Sequence, residues 1–224
     1  MLVDIRFLSF LGMIIYLISS IPVSYIWIKS LKNGLNLDQV GTGNLGSSNT
    51  KNASGYLSAI CISLIDIFLK GFLPIYVFDN IFGYSWELFI YGLLIVVGHN
   101  WSIFMSFKGG RGVAVSIGVL LAIETLRPIF LIIAIPVLIS RLVVYKDSAL
   151  WTLVAIILLV LMTFLLSSDI VERIFTLILA IFLISKRVLT NEWRFPDDPN
   201  RIKVLFYRIV FDRDIKSKYL WINQ

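Results

Sequence analysis

Apolar residues in this chain come in long unbroken runs rather than in the short repeats of a soluble fold. The runs at 7–28, 88–107 and 148–168 contain no Asp, Glu, Lys or Arg. Each reaches the roughly 20 residues that a helix needs to cross a bilayer core. Shorter or interrupted runs lie at 56–77, 112–123, 128–140 and 174–185. The pair at 112–140 reads in two ways. It is either two short helices meeting at Glu124-Thr125-Leu126-Arg127, or one long helix kinked near Pro128 and Pro136.

The placement of Lys and Arg decides between them. With seven spans, one side receives Lys29, Lys32, Lys51, Lys108, Arg111, Arg141 and Lys146. It also receives Lys186, Arg187, Arg194, Arg201, Lys203, Arg208, Arg213, Lys216 and Lys218, which makes sixteen of the 20 basic residues. The other side keeps Arg6, Lys70, Arg127 and Arg173. Six spans would send the basic tail to the opposite face and erase this asymmetry. The expectation is therefore an all-α polytopic membrane bundle of seven transmembrane helices in the cell membrane, N-terminus outside and C-terminus cytoplasmic.

Composition agrees. The 224 residues are 58% apolar and 15% charged, with a mean hydropathy of +0.87. A soluble domain carries about 25% charged residues. A disordered chain, a disulfide scaffold and an ordinary cytosolic enzyme are excluded. Cys61 is the single cysteine, so no intramolecular disulfide can form, and it reads as a small buried hydrophobe. The first run is too long for the roughly 7–15-residue core of a cleavable signal peptide, and no small-residue cleavage site ends it. A net charge of +6 and a pI near 9.5 would suit nucleic acid, but the membrane-sided distribution already accounts for the basic residues, so no nucleic-acid partner is expected.

Residues 1–185 form the transmembrane unit and 186–224 a basic tail. In the tail, Pro196-Asp197-Asp198-Pro199 signals a turn. Beyond it Ile202, Leu205, Phe206, Ile209 and Val210 recur at helical spacing among Arg201, Lys203 and Arg208. This predicts an amphipathic helix lying on the inner membrane surface or against the protein's own cytoplasmic face. No internal repeat or low-complexity segment is present.

Two cytoplasmic loops hold the unusual polar residues. Positions 41–50 contain three Gly, two Asn and four Ser/Thr, and no carboxylate follows until Asp66. Such a stretch is either an anion-binding nest of backbone N–H groups and neutral donors, or a flexible polar linker. The second loop ends in Lys108-Gly109-Gly110-Arg111-Gly112 directly before an apolar run. Two cations and flexible backbone at a helix N-terminus favour phosphate; the plainer reading is a positive-inside anchor with a glycine turn. It is not a P-loop, because the Gly-Lys-Ser/Thr ending is missing. His99 is the only histidine, so a multi-histidine metal site is excluded, and neither metal nor cofactor is expected. His99 reads as a hydrogen-bonded structural residue or a catalytic one. Asp66 and Lys70 lie four apart, on one helical face, and are expected to pair in the bundle interior or meet a polar cavity.

In order along the chain, these residues resemble the PlsY-type acyl-phosphate:glycerol-3-phosphate acyltransferases of the membrane. Ser20-Ile21-Pro22 is similar to the Ser-Ile-Pro near the end of that family's first helix. The stretch from Thr42-Gly43-Asn44-Leu45-Gly46 to Ser47-Ser48-Asn49 resembles its Ser-Gly-Asn-x-Gly-x-Thr-Asn, with Thr42 in the serine position. Asp66-x-x-x-Lys70-Gly71 is similar to its Asp-x-x-Lys-Gly with one residue added. Lys108-Gly109-Gly110-Arg111-Gly112-Val113-Ala114 resembles Lys-Gly-Gly-Lys-Gly-Val-Ala. The match covers roughly residues 15–120. The family's third motif, His-x-x-Asn-Ile-x-Arg-Leu, is absent; this chain has Ser185-Lys186-Arg187-Val188-Leu189-Thr190-Asn191.

The resemblance implies transfer of an acyl group from acyl phosphate to the 1-hydroxyl of glycerol 3-phosphate, giving a lysophosphatidic acid for phospholipid synthesis. Acyl phosphate, glycerol 3-phosphate and membrane lipids are the implied partners. Lys108, Arg111 and the N–H groups of Gly109, Gly110 and Gly112 would hold a phosphate. Gly43, Asn44, Gly46, Ser47 and Asn49, with Thr42, would line the facing wall and stabilise the oxyanion. His99 would orient a substrate or a loop residue. With no Ser-His-Asp arrangement or catalytic cysteine, direct attack by the substrate hydroxyl is more economical than an acyl-enzyme. Two alternatives remain: the same fold acting on another polyol or prenyl phosphate, which the missing third motif favours, and a carrier of a phosphorylated solute, which the lack of an inverted repeat disfavours. No oligomeric state follows from the sequence.

Overall fold

A chain with this much apolar surface must satisfy its backbone hydrogen bonds internally, and helices do so within one segment. In the computed structural model, which describes residues 5–31, 37, 43–191 and 200–217, every regular element is helical. Thr42 and the expected turn at 196–199 lie outside the described residues.

The first apolar run is broken. Helix α1 (Ile5–Ser20) stops before Pro22, and α2 (Val23–Ser30) continues after it. Proline has no N–H to continue the ladder, so carbonyls of the last turn of α1 are left for other partners. The next rod is α3 (Ser47–Leu64), a π-helical stretch (Ile65–Phe72) and α4 (Leu73–Phe82). Gly55, at φ 86 and ψ 179, divides α3. Before it lies a short polar turn; after it begins the apolar run expected from residue 56.

Helix α5 (Trp86–Asn100) is followed by a single 3-10 turn at Ile103–Met105. The ambiguous stretch resolves into two helices, α6 (Val113–Ala122) and α7 (Arg127–Val143). Arg127 makes the turn between them, its side chain donating to the carbonyls of Leu121 at 2.6 Å and Ala122 at 3.3 Å and so capping α6. Helices α8 (Ser148–Leu166), α9 (Ile170–Leu189) and α10 (Arg201–Phe211) complete the chain. Asp147 and Asp169 cap α8 and α9, accepting from Ala149 N–H and Val171 N–H at 3.0 and 2.7 Å. Among the described residues four helical stretches, Ile5–Ser30, Ser47–Phe82, Trp86–Met105 and Ser148–Leu166, are long and apolar enough to cross a membrane.

Helix α5 is the axis of the bundle, with Leu88, Phe89, Tyr91, Ile95 and Val96 all buried. Glycines let helices approach closely where no hydrophobic force between apolar surfaces in lipid would draw them together. At the crossing of α6 on the π-helical stretch, a Cβ on Gly118 would lie 2.7 Å from Phe72 N and 2.8 Å from Gly71 Cα. The outer faces of α7 and α8 present Ile132, Ile135, Leu142, Leu161 and Leu165 outward, the pattern of a lipid-facing surface.

Helix α9 runs past the expected end of the transmembrane unit at 185, so Lys186 and Arg187 are buried in its last turn. The tail helix α10 docks against α8 and α9 through Val204 and Arg208, while Ile202 and Phe206 face outward. Lys70, assigned to the outer side by the charge distribution, is instead buried inside the bundle. The break at Pro22 has exposed two carbonyls for it, Ser19 at 3.3 Å and Ile21 at 2.5 Å.

Candidate active site

The two polar loops meet at one end of the bundle, and a network of buried hydrogen bonds explains why. Leu45 N–H donates to Gly109 O at 3.3 Å, joining the first loop to the second. Ser24 Oγ donates to Leu45 O at 2.5 Å, and Ser102 Oγ to Ser20 O at 2.5 Å, fastening both loops to the break between α1 and α2. Asn191, just beyond α9, adds the strongest tie. Its amide nitrogen donates to Gly43 O at 3.0 Å and Gly109 O at 3.1 Å, while its oxygen accepts from Gly109 N–H at 3.1 Å.

Asp66 and Lys70 pair as their spacing implies, Nζ to Oδ1 at 3.5 Å, both buried. His99 brings Nδ1 to 3.7 Å from the same Asp66 oxygen. The other face of its ring lies against Gly110, where a Cβ would overlap Nε2. His99 is thus held between a carboxylate and the second loop, in a position to set that loop's height. Asp66, Lys70, His99, Ser20 and Ser102 border a small polar cavity of about 10 Å³, the room of a single water.

Beside it opens a groove of about 680 Å³. One wall is apolar, with Tyr56, Ile60, Leu64, Ile67 and Ile117. The other end is polar, with Asn44, Gly46, Ser47 and Asn49 from the first loop and His99, Arg111 and Gly112 from the second. Five cations (Lys51, Arg111, Arg141, Arg187, Arg213) face three carboxylates (Asp66, Asp147, Asp212), so this end favours anions. Gly112, at φ 74, is the N-cap of α6, and the first turn of α6 lines the groove through Val113 and Ala114. N–H groups of a first turn have no partner inside the helix. Arg111 holds its head in place, Nη1 donating to Lys186 O at 2.5 Å and Nε lying 3.1 Å from Asp212 Oδ2. Burial pushes the Asp212 carboxyl above the usual carboxylate range, while Arg111 and Arg187 pull it back.

The expected residues divide into three groups. Asn44, Gly46, Ser47, Asn49, His99, Arg111 and Gly112 come together in the groove. Gly43 and Gly109 are tying points, and Gly109 and Gly110 use their N–H groups internally, Gly110 donating to His99 O at 3.0 Å. These two N–H groups are therefore not open to a phosphate. The glycines are required for close approach, since a Cβ on Gly109 would collide with the carbonyls of His99 and Asn100. Lys108 is half-buried and does not line the groove, which leaves Arg111 as its loop's cation there. Asn191, Arg187, Asp212 and Arg213 were not singled out from the sequence. Arg187 read as a positive-inside anchor, and the others reach the site only through tertiary contacts.

The sequence model of the family described as glycerol-3-phosphate acyltransferase matches residues 9–200. The chain belongs to that family. It is 28% identical over 215 residues to glycerol-3-phosphate acyltransferase 5 of Dehalococcoides mccartyi, a match covering 93% of this chain and 90% of the relative. It is similar to two crystal structures of PlsY, described as an integral membrane glycerol 3-phosphate acyltransferase. The glycerol 3-phosphate form superposes with a TM-score of 0.69 and 29% identity, covering 80% of this chain and 88% of that one. The lysophosphatidic acid form gives 0.70 and 25%, covering 97% and 99%. The family-model match spans both loops and Asn191, while the likeness to the lysophosphatidic acid form, over 97% of this chain, runs on into α10.

Proposed function

We propose that this protein is a membrane acyltransferase that moves an acyl group from acyl phosphate to glycerol 3-phosphate, giving 1-acyl-glycerol 3-phosphate for phospholipid synthesis. Family membership supports the reaction class, and one observation carries the site. The groove joins an apolar wall long enough for part of an acyl chain to a net-cationic end rich in neutral donors. Both substrates are anions and one has a lipid tail, so each half of the groove has a matching half of the reaction.

Arg111 and the first turn of α6 hold a phosphate. Asn44 and Ser47, on the facing loop, donate to the carbonyl oxygen as it becomes an oxyanion. The glycerol hydroxyl attacks the acyl carbon, the carbon–oxygen bond to phosphate breaks, and a phosphate oxygen accepts the hydroxyl proton as inorganic phosphate departs. His99, fixed by Asp66, positions the second loop for this step. Thr42 stands at the serine position of the family's first motif and joins the donors of the first loop.

Seven spans, with the N-terminus outside and residues 186–224 on the cytoplasmic side, put both loops and Asn191 at the cytoplasmic face of the cell membrane. The one-sided distribution of Lys and Arg supports that orientation. The purified protein should release phosphate from palmitoyl phosphate only when glycerol 3-phosphate is present, with a lysophosphatidic acid as product. Release without acceptor, or none from a folded sample, would refute this assignment.

A further inference from the structure

The C-terminal segment reaches back into the groove. Helix α10 is fastened to the end of α9 by two arginines, Arg187 donating to Ile209 O at 2.8 Å and Arg208 to Val188 O at 2.9 Å. Directly after it the chain turns in the left-handed region at Asp212, φ 55 and ψ 37, a conformation Asp tolerates better than most residues. This turn brings the Asp212 carboxylate to Arg111. Arg213 secures the far side, 2.8 Å from Asp147.

Arg111 is the groove's phosphate ligand on the reading above, and this inference rests on it. A guanidinium offers a substrate phosphate two parallel N–H bonds along one edge. Here Nε lies 3.1 Å from Asp212 Oδ2 as an ion pair without a hydrogen bond, and Nη1 donates to Lys186 O, so the carboxylate shields one edge and the carbonyl uses part of the other. Asp212 gives little in return: Oδ2 meets Arg111, while Oδ1 is buried without a hydrogen-bond partner among the described residues. A phosphate carries nearly twice the charge of a carboxylate and three acceptor oxygens. It would therefore outcompete the carboxylate for the same head group.

We propose that residues 201–217 form a substrate-displaced latch, in which Asp212 occupies the phosphate-binding arginine of the empty enzyme and swings away when an anionic substrate binds. Phe211, Asp212 and Arg213 line the groove, so their movement would widen its polar end.

Two variants test it. Asp212→Asn removes the competing charge, and Val204→Ala loosens the buried face of α10 without changing any charge at the groove. Asp212→Asn should lower KM for glycerol 3-phosphate and the dissociation constant for inorganic phosphate, read by calorimetry, each about fivefold. Val204→Ala should shift both in the same direction by about twofold. Higher values in Asp212→Asn would make Asp212 a positioning residue for Arg111 and overturn the latch. A gain in Asp212→Asn with none in Val204→Ala would reduce Asp212 to a fixed charge and overturn it equally. Phosphate binding needs no turnover, so a tightened phosphate titration in a protein without acyl transfer would refute the proposed reaction while upholding the latch.

Discussion

Gly118 is the position where a single methyl group should do most damage. Its Cα faces the π-helical stretch so closely that an added Cβ would overlap Ile67 O and lie 2.7 Å from Phe72 N and 2.8 Å from Gly71 Cα. All three neighbours are backbone atoms, so no side chain can rotate to relieve the contact. Restoring an ordinary separation of roughly 3.5 Å from all three requires α6 and the π-helical stretch to part by about 1.5 Å. Overpacking of this kind costs about 1–3 kcal/mol, which for a chain of this length lowers the unfolding midpoint by about 2–10 °C. The same displacement is carried to the N-terminus of α6, where Arg111, Gly112, Val113 and Ala114 line the groove. A misplacement of about 1 Å at a reacting centre costs on the order of 100-fold in rate. Gly118→Ala should therefore melt earlier in detergent, followed by tryptophan fluorescence, and lose about 100-fold in kcat. A variant with the parent's midpoint and turnover would show that this crossing does not set the position of the loop.

Two further outcomes test the supports of the site. Asn191→Ala deletes its three hydrogen bonds to the loops, leaving the Leu45–Gly109 bond, and strands Gly109 N–H, so stability should fall by about 1–3 kcal/mol and turnover by at least about tenfold; Asn191→Asp keeps the acceptor but sets a carboxylate oxygen against the Gly43 and Gly109 carbonyls, so it should lose at least as much, and parent-like turnover in both would refute the tying role. Asp66→Asn leaves Lys70 charged and buried, at a cost of about 3–5 kcal/mol. Adding Lys70→Met should restore the melting temperature without restoring turnover, and a double variant as unstable as the single one would refute the pairing argument.

The sequence showed most clearly those features that lipid makes conspicuous. Charged residues inside an apolar run need a partner, and Asp66 and Lys70 are found paired at the predicted spacing. The two glycine-rich loops stood out for the same reason, and they do converge. What stayed hidden depends on contacts between distant segments. The glycines of the second loop read as carriers of open N–H groups, because a sequence displays flexibility and not the neighbour that demands it. Gly109 and Gly110 are instead required by His99 and Asn100 pressing on them. Lys108 and Arg111 are indistinguishable as cations in the loop, and only the turn into α6 directs the second of them to the groove. Asn191 resembled any polar residue after a helix, since its three partners lie 82 and 148 positions away. The tail helix had two open placements, and the structure gives each a face: Val204 and Arg208 toward the bundle, Ile202 and Phe206 outward.

The distribution of unmet polar groups locates the site independently of any motif. Through most of the bundle the helices satisfy their own backbone and the side chains are apolar. Near the loops this order breaks down. Asn44 Oδ1, both amide atoms of the fully buried Asn100 and the Nζ of Lys186 lack a hydrogen-bond partner among the described residues, and the Lys186 ammonium lies 5.4 Å over the Trp101 ring. Each such group costs about 1–3 kcal/mol, a large sum for a protein whose net stability is itself about 5–15 kcal/mol. Selection for stability alone would replace them with apolar residues. Their concentration beside a groove that is cationic at one end and apolar along the other wall is what an enzyme needs if donors and acceptors must already stand ready for charge and protons that appear only during reaction. The ties from Ser24, Ser102 and Asn191 then have a definite purpose: they hold these groups in a geometry that the groups themselves oppose.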